Sequence, residues 1–215
     1  MARQKKAETD KSVLRLLQED SPRTGKLCLR VRKKGKPLDS YFFVEKDNEK
    51  DEDSLLVISD KYDVDYLSFL FNSVVGKELL FGEHANPYIE NEINEESIYH
   101  VVIIDVPKNR QKKYGSLEKT IRQQLLDETN SKDFEKLIVL RDALALELYD
   151  KKFFQDYKLN LYETWQESSF FNNKESIKAQ DVDKELIDLL HFTSLMADSI
   201  IQMILKKLKH DGVEN

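Results

Sequence analysis

Arg30, Arg32, Lys33, Lys34 and Lys36 fall within seven consecutive positions. Forked guanidinium groups and mobile ammonium groups at this density can engage phosphates by charge and by hydrogen bonding. If they sit on a two-stranded ribbon, that ribbon is narrow enough to enter a DNA major groove. A second group, Lys108, Arg110, Lys112 and Lys113, follows an apolar run and a proline. Both groups are expected to contact an anion or nucleic acid. Two ordinary roles compete. Lys and Arg on an edge strand discourage edge-to-edge pairing, and cations in a loop are often only solvated. Cys28, not an aromatic residue, shares the strand face with Arg30 and Arg32, which argues against base stacking there.

Carboxylates are the other chemistry to weigh. Asp105 ends the run Val101–Val106, and Asp60, Asp63, Asp65 or the group Glu90, Glu92, Glu95 and Glu96 could stand beside it. Magnesium-dependent phosphate cleavage needs such clustered acids around an activated water. No acid followed by Glu-x-Lys on an adjacent strand is found, so Asp105, Asp60 and Asp63 are weak catalytic candidates. An ion pair with a nearby cation is the commoner fate of Asp105. Asp47, Glu49, Asp51 and Asp53 alternate like a calcium loop, but Glu52 and Ile58 occupy the positions that require Gly and an acid. His84, His100, His191 and His210 show no metal-ligand spacing. Cys28 is a lone thiol among cations and reads as a bystander. Gly76 and Gly82 belong to no phosphate-binding loop. No metal and no cofactor is expected.

These groups need elements to hold them. Leu27, Leu29 and Val31 alternate with Cys28, Arg30 and Arg32, predicting a strand with an apolar and a basic face. Lys33–Pro37 is read as its turn, with Gly35 free for positive φ, and Asp39–Val44 as the returning strand. Leu55–Ile58 completes an antiparallel meander. Val13–Gln18 suggests one or two helical turns. Tyr66–Leu80 reads as a helix ending near Gly76. The β-branched run Tyr99–Val106 predicts a central strand buried on both faces. From Ser116, a cap candidate, the pattern turns helical. Asp181 opens the longest element, a coiled-coil-like stripe running to about Lys209 with a cationic end.

The fold class expected is α+β: a small, mostly antiparallel sheet in the N-terminal half, then a helical half with a long amphipathic terminal helix. The expected divisions are a flexible basic tail 1–12, an α+β domain 13–113 and a helical domain 114–215. Charge follows the same division. Residues 1–40 hold 12 Lys and Arg against 5 acids, a net of +7; the whole chain is −6, so residues 41–215 carry −13. A single cysteine precludes an internal disulfide. The N-terminus lacks a signal-like apolar core, and no unbroken run of about 18 apolar residues predicts a membrane span. A soluble cytoplasmic protein is expected.

The leading functional expectation is a non-catalytic interaction or accessory subunit of a larger assembly. A protein partner would dock on the C-terminal helix, and the basic hairpin would face DNA, RNA or an acidic partner. The rival is a magnesium-dependent nuclease or phosphotransfer enzyme using strand-end carboxylates. A third reading is a helix-mediated homodimer with no nucleic-acid role. No membrane partner is expected.

Overall fold

The computed structural model describes residues 14–17, 25–48, 51–82, 85–127, 132–168 and 179–213. The tail 1–12, His84, Glu49 and the side chain of His210 lie outside that description. Six strands and eight helices occur among the described residues. They are β1 (Arg15–Leu17), β2 (Leu27–Arg32), β3 (Lys34–Gly35), β4 (Phe43–Lys46), β5 (Ser54–Ile58), α1 (Val64–Asn72), α2 (Val74–Phe81), β6 (Asn91–Glu92), α3 (Glu95–His100), α4 (Lys108–Leu126), α5 (Lys132–Tyr149), α6 (Lys151–Asp156), α7 (Leu161–Glu167) and α8 (Ala179–Val213). The architecture is the expected α+β one: a small antiparallel sheet early, helices late, and a long helix last. Two compact units divide between Phe134 and Glu135.

In the first unit the sheet order is β1-β5-β2-β4, every pair antiparallel. β4 and β5 therefore both pair with β2, and the expected meander is corrected. β2 is an interior strand, not an edge, so its arginines do not guard an exposed edge. Val13–Gln18 contributes the edge strand β1 rather than helical turns. The alternation along β2 holds only in part. Leu29 and Val31 are fully buried, but Leu27 is 53% exposed, and Cys28 is fully buried on the arginine face.

The turn after β2 also differs from expectation. Lys34–Gly35 is itself a strand, paired with Asn91–Glu92 in a second, two-stranded sheet. The chain reverses at Lys36–Ser40 instead. There the Lys36 carbonyl accepts hydrogen bonds from the Asp39 and Ser40 amides and from Ser40 Oγ. Gly35 is not at positive φ; its lack of a side chain makes room for Ser40 Oγ, 2.4 Å from where a Cβ would stand.

α1 is the centre of this unit. Asp63 caps it, accepting from the amides of Asp65 (3.0 Å) and Tyr66 (3.3 Å). Tyr66, Leu67, Phe69, Leu70 and Phe71 are all fully buried. The predicted helix 66–80 is in fact two, broken at Ser73, which closes α1 and caps α2. α4 packs along α1 through Tyr114, whose ring lies 4.8 Å from Phe69 and 5.9 Å from Tyr66. α4 begins at Lys108, eight residues before the expected cap at Ser116, and Pro107 precedes it. It therefore belongs with the sheet unit, and the compact units part well after Lys113.

The predicted central strand 101–106 is absent. α3 takes Tyr99 and His100, and residues 102–107 belong to no strand. Their carbonyls find side chains instead: Tyr66 Oη donates to Ile104 O (2.7 Å) and Gln111 Nε2 to Val106 O (2.9 Å). Only Val101 and Val106 of the run are buried. A β-branched run favours a strand only where a neighbouring strand is available to pair with it.

In the second unit α5 buries Leu137, Leu140 and Ala143–Leu146. Its Glu147 carboxylate caps α7, accepting from the amides of Leu161 (3.1 Å) and Tyr162 (2.9 Å). Asp150 caps α6. α7 packs on α8. Lys158, at φ 56°, separates α6 from α7. α8 runs to Val213, past the end expected near Lys209.

Candidate interaction surfaces

Arg30 is the least available of the β2 cations. Its Nε donates to Glu45 and its other arm to Asp51 Oδ2 at 2.7 Å. Partial burial opposes its charge, yet the contacts with Glu45 and then Asp51 outweigh this and hold its pKa above the ordinary arginine value. Asp51 is held below the usual carboxylate range, first by the Ser54 hydroxyl, then by the Asp53 amide and Arg30. The acidic stretch read as a failed calcium loop thus serves the basic strand. Lys33 Nζ donates to Glu52 O at 2.6 Å. Lys34 stands across from Glu92 in the β3–β6 pairing. Arg32, Lys34 and Lys36 are exposed.

β6 brings something to this ribbon that the sequence order hides. The Leu38 amide donates to Pro87 O (3.3 Å) and the Ile93 amide to Lys33 O (2.6 Å), tying 33–38 to 87–93. Leu38, Tyr88 and Ile89 are exposed there, Tyr88 to 71%. An aromatic ring therefore does accompany the cations, supplied from some fifty positions later rather than from β2. No local pattern could reveal it. The ribbon is not purely cationic, since Asp39, Glu90 and Glu92 are exposed on it too.

The second basic group lies on the first turns of α4. Lys108 Nζ donates to the Lys61 carbonyl; Lys112 and Lys113 are exposed and Arg110 is half-buried. With residues 102–107 no longer a strand, this group does not lie at a strand's carboxyl end. Nor do the two groups merge. Arg32 pairs with Ser54 at the start of β5, whereas Lys61 follows its end at Ile58. The groups lie off opposite ends of β5, about 13 Å of strand apart at ~3.3 Å per residue.

The candidate carboxylates are dispersed. Asp105 ends no strand; it is exposed and pairs with Lys61 Nζ at 3.0 Å. Lys61 is held above the ordinary lysine pKa, first by the neighbouring Tyr62 side chain, then by Asp105. Asp60 pairs with Arg15, and Asp63 is the α1 cap. Asp65 is buried and receives Lys119 Nζ and Arg122, each at 2.9 Å; Gly115 lets α4 come close enough for this. Glu96 lies 3.9 Å from His100. Among the described residues, no three His, Cys, Asp or Glu side chains are placed to share a metal ion.

α8 presents the other surface. Its inner face buries Leu186, Thr193, Ile200, Ile201, Ile204 and Leu205, while Ile187 (55%), Leu195 (71%) and Met203 (42%) are exposed. The stretch Lys184–Leu208 is also long and apolar enough to cross a bilayer by length and composition, with a mean hydropathy of 1.2 in its most apolar 18-residue window. An unbroken apolar run is too strict a criterion for this helix, because only a few charges interrupt it. Asp188 and Asp198 are exposed on the same helix. His191 is exposed on α8, and Cys28 is fully buried. No family model, curated protein or solved structure matches the chain.

Proposed function

We propose that the protein is a non-catalytic interaction subunit of a larger assembly and docks to protein through α8. The observation that carries this reading is the exposure of Ile187, Leu195 and Met203 on a helix whose opposite face is buried. Apolar side chains uncovered along one long helix are the usual material of helix-mediated recognition. The engagement of Asp60, Asp63 and Asp105 in a cap and ion pairs supports a binding role over strand-end catalysis. Affinity capture with the full chain from cells that express it is the test. Leu195→Glu with Met203→Glu should reduce stoichiometric co-elution at least tenfold while helical circular dichroism is unchanged. Unchanged co-elution would overturn the reading. So would strong flotation with phosphatidylcholine–phosphatidylserine vesicles, since that outcome makes α8 a membrane element.

A second contact is supported by the β3–β6 ribbon. Arg32, Lys34 and Lys36, with Tyr88 on the segment tied to Leu38, combine phosphate-seeking charge with a stacking surface, the pairing that single-stranded nucleic acid requires. Replacing Arg32, Lys34 and Lys36 together by alanine should flatten the dependence of log K on log salt by up to about 2, at ~0.7 per phosphate contact on single strands. Tyr88→Ala should weaken oligonucleotide binding by roughly 1–3 kcal/mol. Fluorescence anisotropy with labelled single and double strands measures both. Salt-insensitive binding, or none at low salt, would reject this contact.

A further inference from the structure

We infer that the β3–β6 ribbon selects guanine-bearing single strands, with a guanine stacked on Tyr88 and its Watson–Crick edge accepted by the Glu90 carboxylate. The inference rests on the reading of this ribbon as a single-strand contact and names the base it selects. The backbone around Tyr88 is set before any ligand arrives. Asn86–Ile89 is a β-turn, closed by the Ile89 amide donating to Asn86 O at 3.2 Å. Asn86 Oδ1 accepts the Tyr88 amide at 2.9 Å, and Pro87 presets φ at the second position of the turn. Asn91 Nδ2 donates to Ile89 O at 2.6 Å and reaches Asn86 O at 3.4 Å. The two asparagines therefore fix the chain on both sides of Tyr88. An exposed aromatic ring on such a preorganised turn loses little freedom on binding.

Glu90 follows two residues later and is exposed. Its Cα lies within about 7 Å of the Tyr88 Cα whatever the local conformation. At that separation its carboxylate reaches the rim of a base lying on the tyrosine ring. Glu92, by contrast, stands across from Lys34. Among the described residues the Glu90 carboxylate has no hydrogen-bond or ion-pair partner. Charge complementarity chooses the base. An ionised carboxylate offers two acceptor oxygens and no donor. Guanine alone presents two adjacent donors on its Watson–Crick edge, N1–H and the N2 amino group. They meet the two oxygens in a bidentate, charge-assisted pair. Adenine and cytosine set their amino group beside a ring-nitrogen acceptor. Thymine and uracil set one N–H between two carbonyls. Each of these four turns a lone pair toward the carboxylate. Phosphates farther along the strand meet Lys36, Lys34 and Arg32, exposed at alternate positions. A carboxylate beside such a phosphate track weakens binding unless it accepts from the base.

Fluorescence anisotropy with the full chain at low salt is the test. The probes are a labelled all-thymine strand, the same strand carrying isolated guanines, and versions with hypoxanthine, adenine or cytosine at those positions. Isolated guanines avoid quartet formation. The guanine strand should bind about 5–10-fold tighter than the all-thymine one, the low end for a bidentate base contact because water competes at an exposed site. Hypoxanthine keeps N1–H but lacks the amino group and should lose most of this advantage. RNA counterparts in a uracil background should show the same preference, since neither donor involves the sugar. Glu90→Gln should abolish the preference without weakening the all-thymine strand. Asp39→Asn, an exposed acid on the same ribbon, should leave the preference intact. If Glu90 only offset a neighbouring cation, Glu90→Gln would strengthen every strand equally. That result would overturn the inference, as would equal affinity for guanine and thymine strands, hypoxanthine binding as well as guanine, or a preference that survives Glu90→Gln. Each of these leaves the single-strand contact standing. Binding of no strand would overturn both.

Discussion

Gly76→Ala should destabilise the protein by more than about 3 kcal/mol, an overpacking penalty at the top of the usual range. The reason is the corner between α1 and α2. Ser73 holds it, its amide donating to Leu70 O at 3.2 Å and its hydroxyl to the same oxygen at 2.6 Å. The hydroxyl oxygen also accepts the Gly76 amide at 3.1 Å. This brings the Gly76 backbone so near the end of α1 that a Cβ would stand 1.9 Å from Leu70 O and 2.8 Å from Leu70 C. The obstacle is main chain, so no side-chain rotation can relieve it. α2 would have to move off α1, breaking the Ser73 bonds and opening the layer where Leu70, Phe71 and Val75 are fully buried. Equilibrium urea unfolding measures the cost. Gly82→Ala is the control: Gly82 has φ 89° and nothing within 4 Å of where a Cβ would stand, so only backbone strain of about 1–3 kcal/mol applies. Equal effects from the two substitutions would show that the corner is looser than its geometry states.

Gly76 also illustrates how far local pattern reaches. Apolar spacing over 66–80 announces helix, and helix is what forms. That same spacing cannot show a break at Ser73, because the break is made by a hydroxyl satisfying groups on both sides. β2 is similar. Its alternation is legible, but its place inside the sheet depends on which strands reach it from elsewhere, and β4 and β5 take both sides. The run 101–106 misled because β-branched residues report a preference for extended backbone, while a ladder requires a neighbour with free amides. The surfaces divide the same way. The cations of 30–36 and the stripe of α8 are sequence-local and readable. The acids that engage Arg30, and the tyrosine on the segment tied to Leu38, arrive through long-range pairing, which only the folded chain defines.

Asn72→Leu should cost roughly 3–5 kcal/mol despite the same branched heavy-atom shape and a more apolar side chain, the range expected when a buried polar network loses one member. Asn72 is fully buried between the approach to β4 and helix α4. Its Oδ1 accepts the Phe42 amide at 2.8 Å. Its Nδ2 lies within reach of Phe42 O (3.0 Å), Ser68 Oγ (3.1 Å) and Glu118 Oε1 (3.1 Å). Phe42 precedes β4, so no ladder partner serves those backbone groups, and the amide side chain acts as a short substitute for a neighbouring strand. Leucine would leave the Phe42 amide without an acceptor and remove a donor from a fully buried carboxylate. Tyr41 Oη, 2.7 Å from Glu118 Oε1, would remain. The hydrophobic gain of a buried leucine, about 1.5–3 kcal/mol at most, is already offset by packing that asparagine fills. A double-mutant cycle with Glu118→Gln separates the two losses. If the amide serves mainly to hold the carboxylate, Glu118→Gln should recover much of the Asn72→Leu penalty. If it serves mainly to replace a strand for Phe42, the two penalties should add. The Phe42 geometry, with both backbone groups bonded to one side chain, makes near-additivity the expected outcome, read from urea midpoints of the four proteins.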